Sequence, residues 1–239
     1  AKIFCSETTI RFLKDAQIIF GGMGYETADS KRSRGEPAFG IEQLVRDAEM
    51  YRIGEGATDI LRPFVAREGL SPHLDRAQRY LGGGIGSTER FSEWLKLTRF
   101  YVPWYLSLWR RQPLPEGGEF RHPKVDEALR YVEQTSRRLA RAIFWAMVRH
   151  GERLRDDQGR QARIETIGEE LLTVAASVLW AASFVRTEGD ARVWGLVDQV
   201  VRDARLRVEP MIDELGGSND DHRVAAIGQQ ASEGGYPWL

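Results

Sequence analysis

The sequence predicts an all-α protein built as two helical units, and three observations carry that prediction. Apolar residues recur at helical spacing along most of the 239 residues. No stretch alternates with period two for long, so strands are not expected. The glycine-rich run "LGGGIGS" at 81–87 interrupts the pattern once and reads as a linker. The domains expected on this basis are 1–80, a linker over 81–87, a helical extension over 88–214 and a loosely ordered tail over 215–239.

The first helix covers 2–20, with Ile3, Phe4, Ile10, Leu13, Ala16, Ile19 and Phe20 near one side. It begins with neither an initiator methionine nor a capping side chain, so the sequence reads as a piece of a longer chain. "GGMGY" (21–25) breaks the pattern, and a long polar loop with Gly35, Pro37 and Gly40 follows. "IEQLVRDAEMYRI" (41–53) is the second helix. The third starts near Thr58, a candidate N-cap, with Asp59 suited to the first turn. Pro63 costs it about one early backbone bond. Gly69 or Ser71-Pro72 is expected to end it.

Beyond the linker, helical patterns cover 88–112, 124–156, 161–187 and 190–214. The first is dense in aromatics, including Trp94, Trp104 and Trp109, and aromatics at helical spacing are normally core. At least two of these three tryptophans are therefore expected to be buried against the 124–156 and 161–187 helices. Because Lys96, Arg99, Arg110 and Arg111 stand among the aromatics, a peripheral membrane surface over 90–111 is the second reading. The arginines of 136–150 read as a solvated face. "TVAASVLWAASF" (173–184), apolar nearly all round, is expected to be the most buried helix.

Composition narrows the class. Lys plus Arg (34) and Asp plus Glu (35) nearly cancel, which gives no general electrostatic reason to expect nucleic acid or an anionic membrane as partner. The single cysteine, Cys5, excludes an internal disulfide scaffold and suits a reducing, cytoplasmic setting. Four scattered histidines lack zinc-ligand spacing, so no metal is expected. No apolar run reaches the ~20 residues of a membrane span.

Two short motifs bear on chemistry. Glu55 lies between Gly54 and Gly56, where one helix ends and another begins. The residues alone leave two readings: an exposed junction residue, or a carboxylate beside a glycine-cleared backbone where a ligand approaches and the acid takes a proton. "GGMGY" is likewise either a helix cap and turn or a backbone surface that a pyrophosphate can touch.

Together these motifs carry a resemblance. "IIFGGMGY", "IEQLVRDAEMYRI" and "GEGATDILRPFVAREGL", in that order and preceded by "KIFCSE", resemble the C-terminal α domain of the acyl-CoA dehydrogenases. The likeness is close over about 1–75. From about 88 onward the chain resembles, more loosely, the helical extension of the very-long-chain branch, a branch associated with membranes.

The resemblance implies an FAD enzyme of fatty acid β-oxidation that forms a trans-2,3 double bond in an acyl-CoA. Glu55 matches the family's catalytic base, and its backbone N–H matches a donor to the thioester carbonyl. Gly56 matches a substrate contact, and Ala57, Thr58 and Asp59 match FAD contacts. Gly21 and Gly22 match the turn that meets FAD bound to a neighbouring subunit. A homo-oligomer and an electron-transfer flavoprotein or similar acceptor are the partners implied.

Several positions depart from the family pattern. Its Gln falls on Ile18, with Gln17 one place away; Gly54 replaces an aromatic, Ala57 replaces Thr, the 26–40 loop is longer, and Pro63 is unusual. These read as divergence rather than decay, since Glu55 and Gly56 stand together. The family's N-terminal helical and β domains have no counterpart here, so the chain alone is expected to be inactive. The alternative is a non-catalytic helical assembly module derived from the family.

Overall fold

The structure, a computed structural model, describes residues 1–81, 84, 86–113, 122–216, 221–236 and 238. Among these residues every regular element is helical, as the periodicity predicts. The chain divides into two compact units, Ala1–Val65 and Ala66–Leu239.

In the first unit α1 (Lys2–Ile19) packs against α4 (Ile41–Ile53). Three contacts fix the pairing: Lys2 Nζ donates to the Gly56 carbonyl at 2.6 Å, Arg52 meets Glu7 at 3.0 Å, and Lys14 meets Glu49 at 2.8 Å. As the residue number rises on one partner it falls on the other, so the helices run antiparallel. Between them, α2 (Gly22–Tyr25) and α3 (Ala28–Ser33) occupy part of what the sequence suggests is open loop. The side chain of Thr27 accepts from the Ser30 N–H and caps α3. Lys31 is fully buried: its Nζ donates to the Phe39 carbonyl at 2.9 Å and lies 4.3 Å from that ring's centre. Phe39 in turn packs on Phe20. Arg34 bridges Glu26 and Glu36, and its guanidinium draws the Glu26 carboxyl down to about 2.

Helix α5 (Thr58–Leu81) continues through Gly69 and Pro72, where the sequence predicts its end. The boundary between units falls inside it, at Val65/Ala66, rather than at 81–87. The reason is burial, because Ala66, Leu70 and Leu74 belong to the core of the second unit. A side chain such as Leu contributes about 1.5–3 kcal/mol when removed from water, comparable to the roughly 3 kcal/mol of a helical proline. Of the expected linker, residues 82, 83 and 85 lie outside the described residues.

That second core is made mainly by α7 (Pro123–His150), α8 (Gln158–Glu188) and α9 (Val193–Gly216), with Ile167, Val174, Val178 and Val208 fully buried. A 3-10 turn (Gly151–Arg155) links α7 to α8, and the buried Gln161 amide donates to the Leu154 carbonyl within it at 2.9 Å. By length and composition α8 could cross a membrane; here it packs against α7 and α9. Its 173–184 run is not buried all round. Val174, Val178 and Ala181 face the core, whereas Leu179 and Trp180 are exposed.

Helix α6 (Ser87–Ser107) overturns the expectation for the tryptophans. Trp94 is 46% and Trp109 64% exposed, and only Trp104 is half-buried, beside His73, Tyr101 and Phe144. The arginines of α7 are not merely solvated. Arg137 donates to the Ser107 carbonyl at 2.7 Å and Arg141 to the Leu108 carbonyl at 2.8 Å. Cationic donors thus satisfy carbonyls at the negative end of α6. Arg141 also lies 4.2 Å from the Trp109 ring, which fixes that indole at the surface. Within the expected tail, α10 (Asp221–Ser232) is helical and is held to α8 by Arg163, whose guanidinium grips both Asp221 oxygens at 2.5 and 2.7 Å.

Candidate functional site

The site begins at the junction of α4 and α5. Helix α4 ends at Ile53, where the Gly54 N–H donates to the Met50 carbonyl at 2.8 Å. Gly54 itself is extended, with φ −65° and ψ 144°. The left-handed turn falls on the next two residues, Glu55 at φ 58° and Gly56 at φ 101°. Among the described residues Glu55 is the one non-glycine with positive φ. A side chain in that region clashes with its own backbone and costs on the order of 1–2 kcal/mol. The second glycine is the required one. Besides its φ, a Cβ on Gly56 would stand 3.0 Å from the Leu61 side chain.

The Glu55 side chain is exposed and has no hydrogen bond or ion pair with any described residue. Its neighbours along the chain are apolar and uncovered, with Met50, Tyr51, Ile53 and Ile60 all more than 60% exposed. An acid fixed in a strained turn without a partner, within so much exposed apolar surface, has the makings of a site that something else covers.

Helix α5 then starts. Thr58 is its first residue rather than its cap, and the Ile60 and Leu61 N–H groups both donate to the Ala57 carbonyl at 2.9 Å. The Thr58 hydroxyl is buried and lacks a hydrogen-bond partner. Ala57 is half-buried, and Asp59 is exposed in the first turn.

The second motif lies elsewhere. Gly21 (φ 57°) and Gly22 are exposed just beyond the end of α1, and a Cβ on either would meet nothing within 4 Å. Gly24 is buried, and a Cβ there would stand 2.4 Å from the Gln17 carbonyl oxygen. The Gln17 side chain is already used, donating to the Gly24 carbonyl at 3.3 Å, while Ile18 is exposed. The start of α1 touches Gly56 and its end leads into Gly21, so the two motifs stand about 25 Å apart at 1.5 Å rise per residue. One copy of the chain does not bring them onto the same atoms of a ligand.

Comparison with known proteins fits this anatomy. Residues 1–70 match the family model described as the acyl-CoA dehydrogenase C-terminal domain. These residues, less than a third of the chain, carry its likeness to that family's C-terminal domain. Over all of its length it is 35% identical to a protein of Mycobacterium tuberculosis described as probable acyl-CoA dehydrogenase FadE10. The chain spans 37% of that relative's length. Mouse mitochondrial very long-chain specific acyl-CoA dehydrogenase is 39% identical over 84 residues, which cover 35% of this chain and 11% of that protein. A crystal structure of an acyl-CoA dehydrogenase complexed with FAD from Bacillus anthracis has the same fold over 95% of this chain, with a TM-score of 0.58 at 18% identity. The match covers 34% of that acyl-CoA dehydrogenase.

Relieving the left-handed strain at Glu55 should stabilise the protein. Glu55→Gly is expected to raise unfolding free energy by about 1 kcal/mol, once the extra freedom of glycine in the unfolded chain is discounted. Thermal denaturation checks it, and a lower melting temperature would contradict strain at this residue.

Proposed function

We propose that the protein carrying this chain is an FAD-dependent acyl-CoA dehydrogenase. In this reading Glu55 removes the α-proton of an acyl thioester as a trans-2,3 double bond forms. The observation that carries it is the turn itself, an unpartnered carboxylate in a strained backbone position within uncovered apolar surface. A surface acid needs no such turn, whereas a base that must point at a fixed carbon does.

The division of labour follows from the residues. Once a thioester and the rest of the full-length protein cover the junction, water is excluded and the carboxylate meets the α-carbon without competing solvent. The Glu55 N–H, at the left-handed turn, is a donor for the thioester oxygen as enolate-like charge develops. Gly56, without a side chain, leaves the acyl group room. FAD, when bound, supplies the acceptor for the hydride that leaves the β-carbon. The residues that hold it are Ala57, Thr58 and Asp59 at the start of α5, and the orphaned Thr58 hydroxyl fits that role. Gly21 and Gly22, about 25 Å away along α1, then serve the FAD of a neighbouring copy in a homo-oligomer. An electron-transfer flavoprotein or similar acceptor completes the cycle.

In the full-length protein, Glu55→Gln should keep flavin and lower turnover of a saturated acyl-CoA by at least ~10²-fold, the usual loss for a general base. Unchanged turnover would remove Glu55 as the base, and absence of turnover by the unmutated protein would favour a non-catalytic assembly module.

A membrane contact is proposed for α6 on a separate observation. Phe91, Leu95, Val102 and Leu106 form one exposed stripe, and Arg99, Arg110 and Arg111 have no ion-pair partner among the described residues. Such a face suits an anionic lipid surface. Co-sedimentation with anionic vesicles should be strong at low salt and weaken as salt rises. Salt-independent absence of binding would exclude it.

A further inference from the structure

Helix α6 and its neighbours enclose a groove, separate from the Glu55 turn, that the dehydrogenase chemistry does not use. It lies between the C-terminal part of α5, α6 and α7 and has a volume of about 400 Å³. Trp94, Phe144 and Met147 give it apolar walls, and His73 and Tyr101 form its polar part with Thr98, whose hydroxyl donates to the Trp94 carbonyl at 2.9 Å. The size is at the small end of ligand pockets, and apolar walls with a few convergent polar groups are their usual make-up.

The polar pair sets what the groove can accept. Tyr101 Oη lies 3.1 Å from His73 Nδ1 and donates more weakly, at 3.4 Å, to the His73 carbonyl. Whichever of the two donates across the 3.1 Å contact, the phenol oxygen keeps at least one lone pair free. It can therefore accept a hydrogen bond from a ligand. The remaining lining carries no charged side chain. Burial holds the His73 imidazole below its ordinary pKa and the Tyr101 phenol above its own. The nearby Arg76 charge reinforces the first shift and opposes the second. At neutral pH the pair is uncharged.

A carboxylate in this groove would lose hydration with no cation among the lining residues, since Arg76 lies outside it over the Phe100 ring, and an ammonium would lose it without meeting an acid. Either loss costs more than burial of a short chain returns. A hydroxyl needs only the acceptor that Tyr101 presents. We propose that this groove is a binding site for an uncharged aliphatic alcohol, its chain between Trp94, Phe144 and Met147 and its hydroxyl donating to Tyr101.

The proposal stands apart from the role of Glu55, and its test reads binding rather than turnover. Full-length protein is titrated with 1-octanol, octanoate and octylammonium while tryptophan emission is followed, since Trp94 lines the groove. Saturable octanol binding is expected, with both charged analogues at least tenfold weaker. Ala77→Phe, which fills the groove from α5, should abolish binding. Tyr101→Phe, which keeps the ring and removes the acceptor, should weaken it several-fold, as loss of one hydrogen bond does. Circular dichroism establishes that each variant is folded, and a folded Tyr101→Phe decides the matter if Ala77→Phe does not fold. Octanoate binding as well as octanol, full binding by either folded variant, or no saturable binding up to the solubility of octanol would overturn the proposal.

Discussion

The antiparallel pairing of α1 with α4 is the constraint on which the rest of the first unit depends. A helix advances 1.5 Å per residue and does not shorten, so the 18 residues of α1 set a fixed distance between its ends. Lys2 anchors one end at the Gly56 carbonyl, and Gly24 and Gln17 close the turn at the other. The Glu55 turn and the Gly21–Gly22 turn are thereby held as two rigid, separated surfaces. A small ligand cannot touch both turns of one copy at that separation.

The two units hold their apolar residues differently. In the second unit α7, α8 and α9 enclose Ile167, Val174, Val178 and Val208 completely, and buried area of that kind sustains a fold. The first unit buries far less, while Phe12, Ile18, Ile19, Tyr51, Ile53 and Ile60 are each more than 60% exposed. So much uncovered surface belongs to a part that fits against others. The strained turn at Glu55 is tolerable in such a setting. About 1 kcal/mol is a small debit against the contacts of a complete protein, and it aims a carboxylate that a relaxed turn would leave free to wander.

Much of this was legible in the residues, and the exceptions have physical causes. The long helices follow from apolar periodicity, and the Glu55 turn was visible because glycines flank an acid between two such patterns. What escaped is tertiary. Helix α5 outlasts Gly69 and Pro72 because Leu70 and Leu74 enter a core that lies far away in sequence. Helix α3 depends on Lys31 finding Phe39, and no local pattern announces a buried lysine. Trp94 and Trp109 look like core by type and spacing, yet α6 turns its half-buried side, with Tyr101 and Trp104, towards His73 and Phe144. The reach of Arg137 and Arg141 to the end of α6 likewise has no sequence signal, because an arginine on a helix face looks the same whether it meets water or a carbonyl. At Gln17 the opposite holds: the one-place shift from the family pattern was readable, and its bond to Gly24 gives it a structural use.

Subunit complementation tests the central claim most directly, namely that Glu55 and the Gly21–Gly22 turn serve active sites in different copies. If Glu55 is the base and the protein a homo-oligomer, as proposed, Glu55→Gln and Gly21→Trp, which obstructs the glycine turn, should each give inactive protein. In a mixed dimer, one site would combine an intact Glu55 from one copy with an intact turn from the other. Equal mixing and random reassociation of full-length subunits into symmetric dimers should then restore about a quarter of wild-type activity. Mixtures that stay as inactive as their parents, despite verified exchange of subunits, would contradict the account.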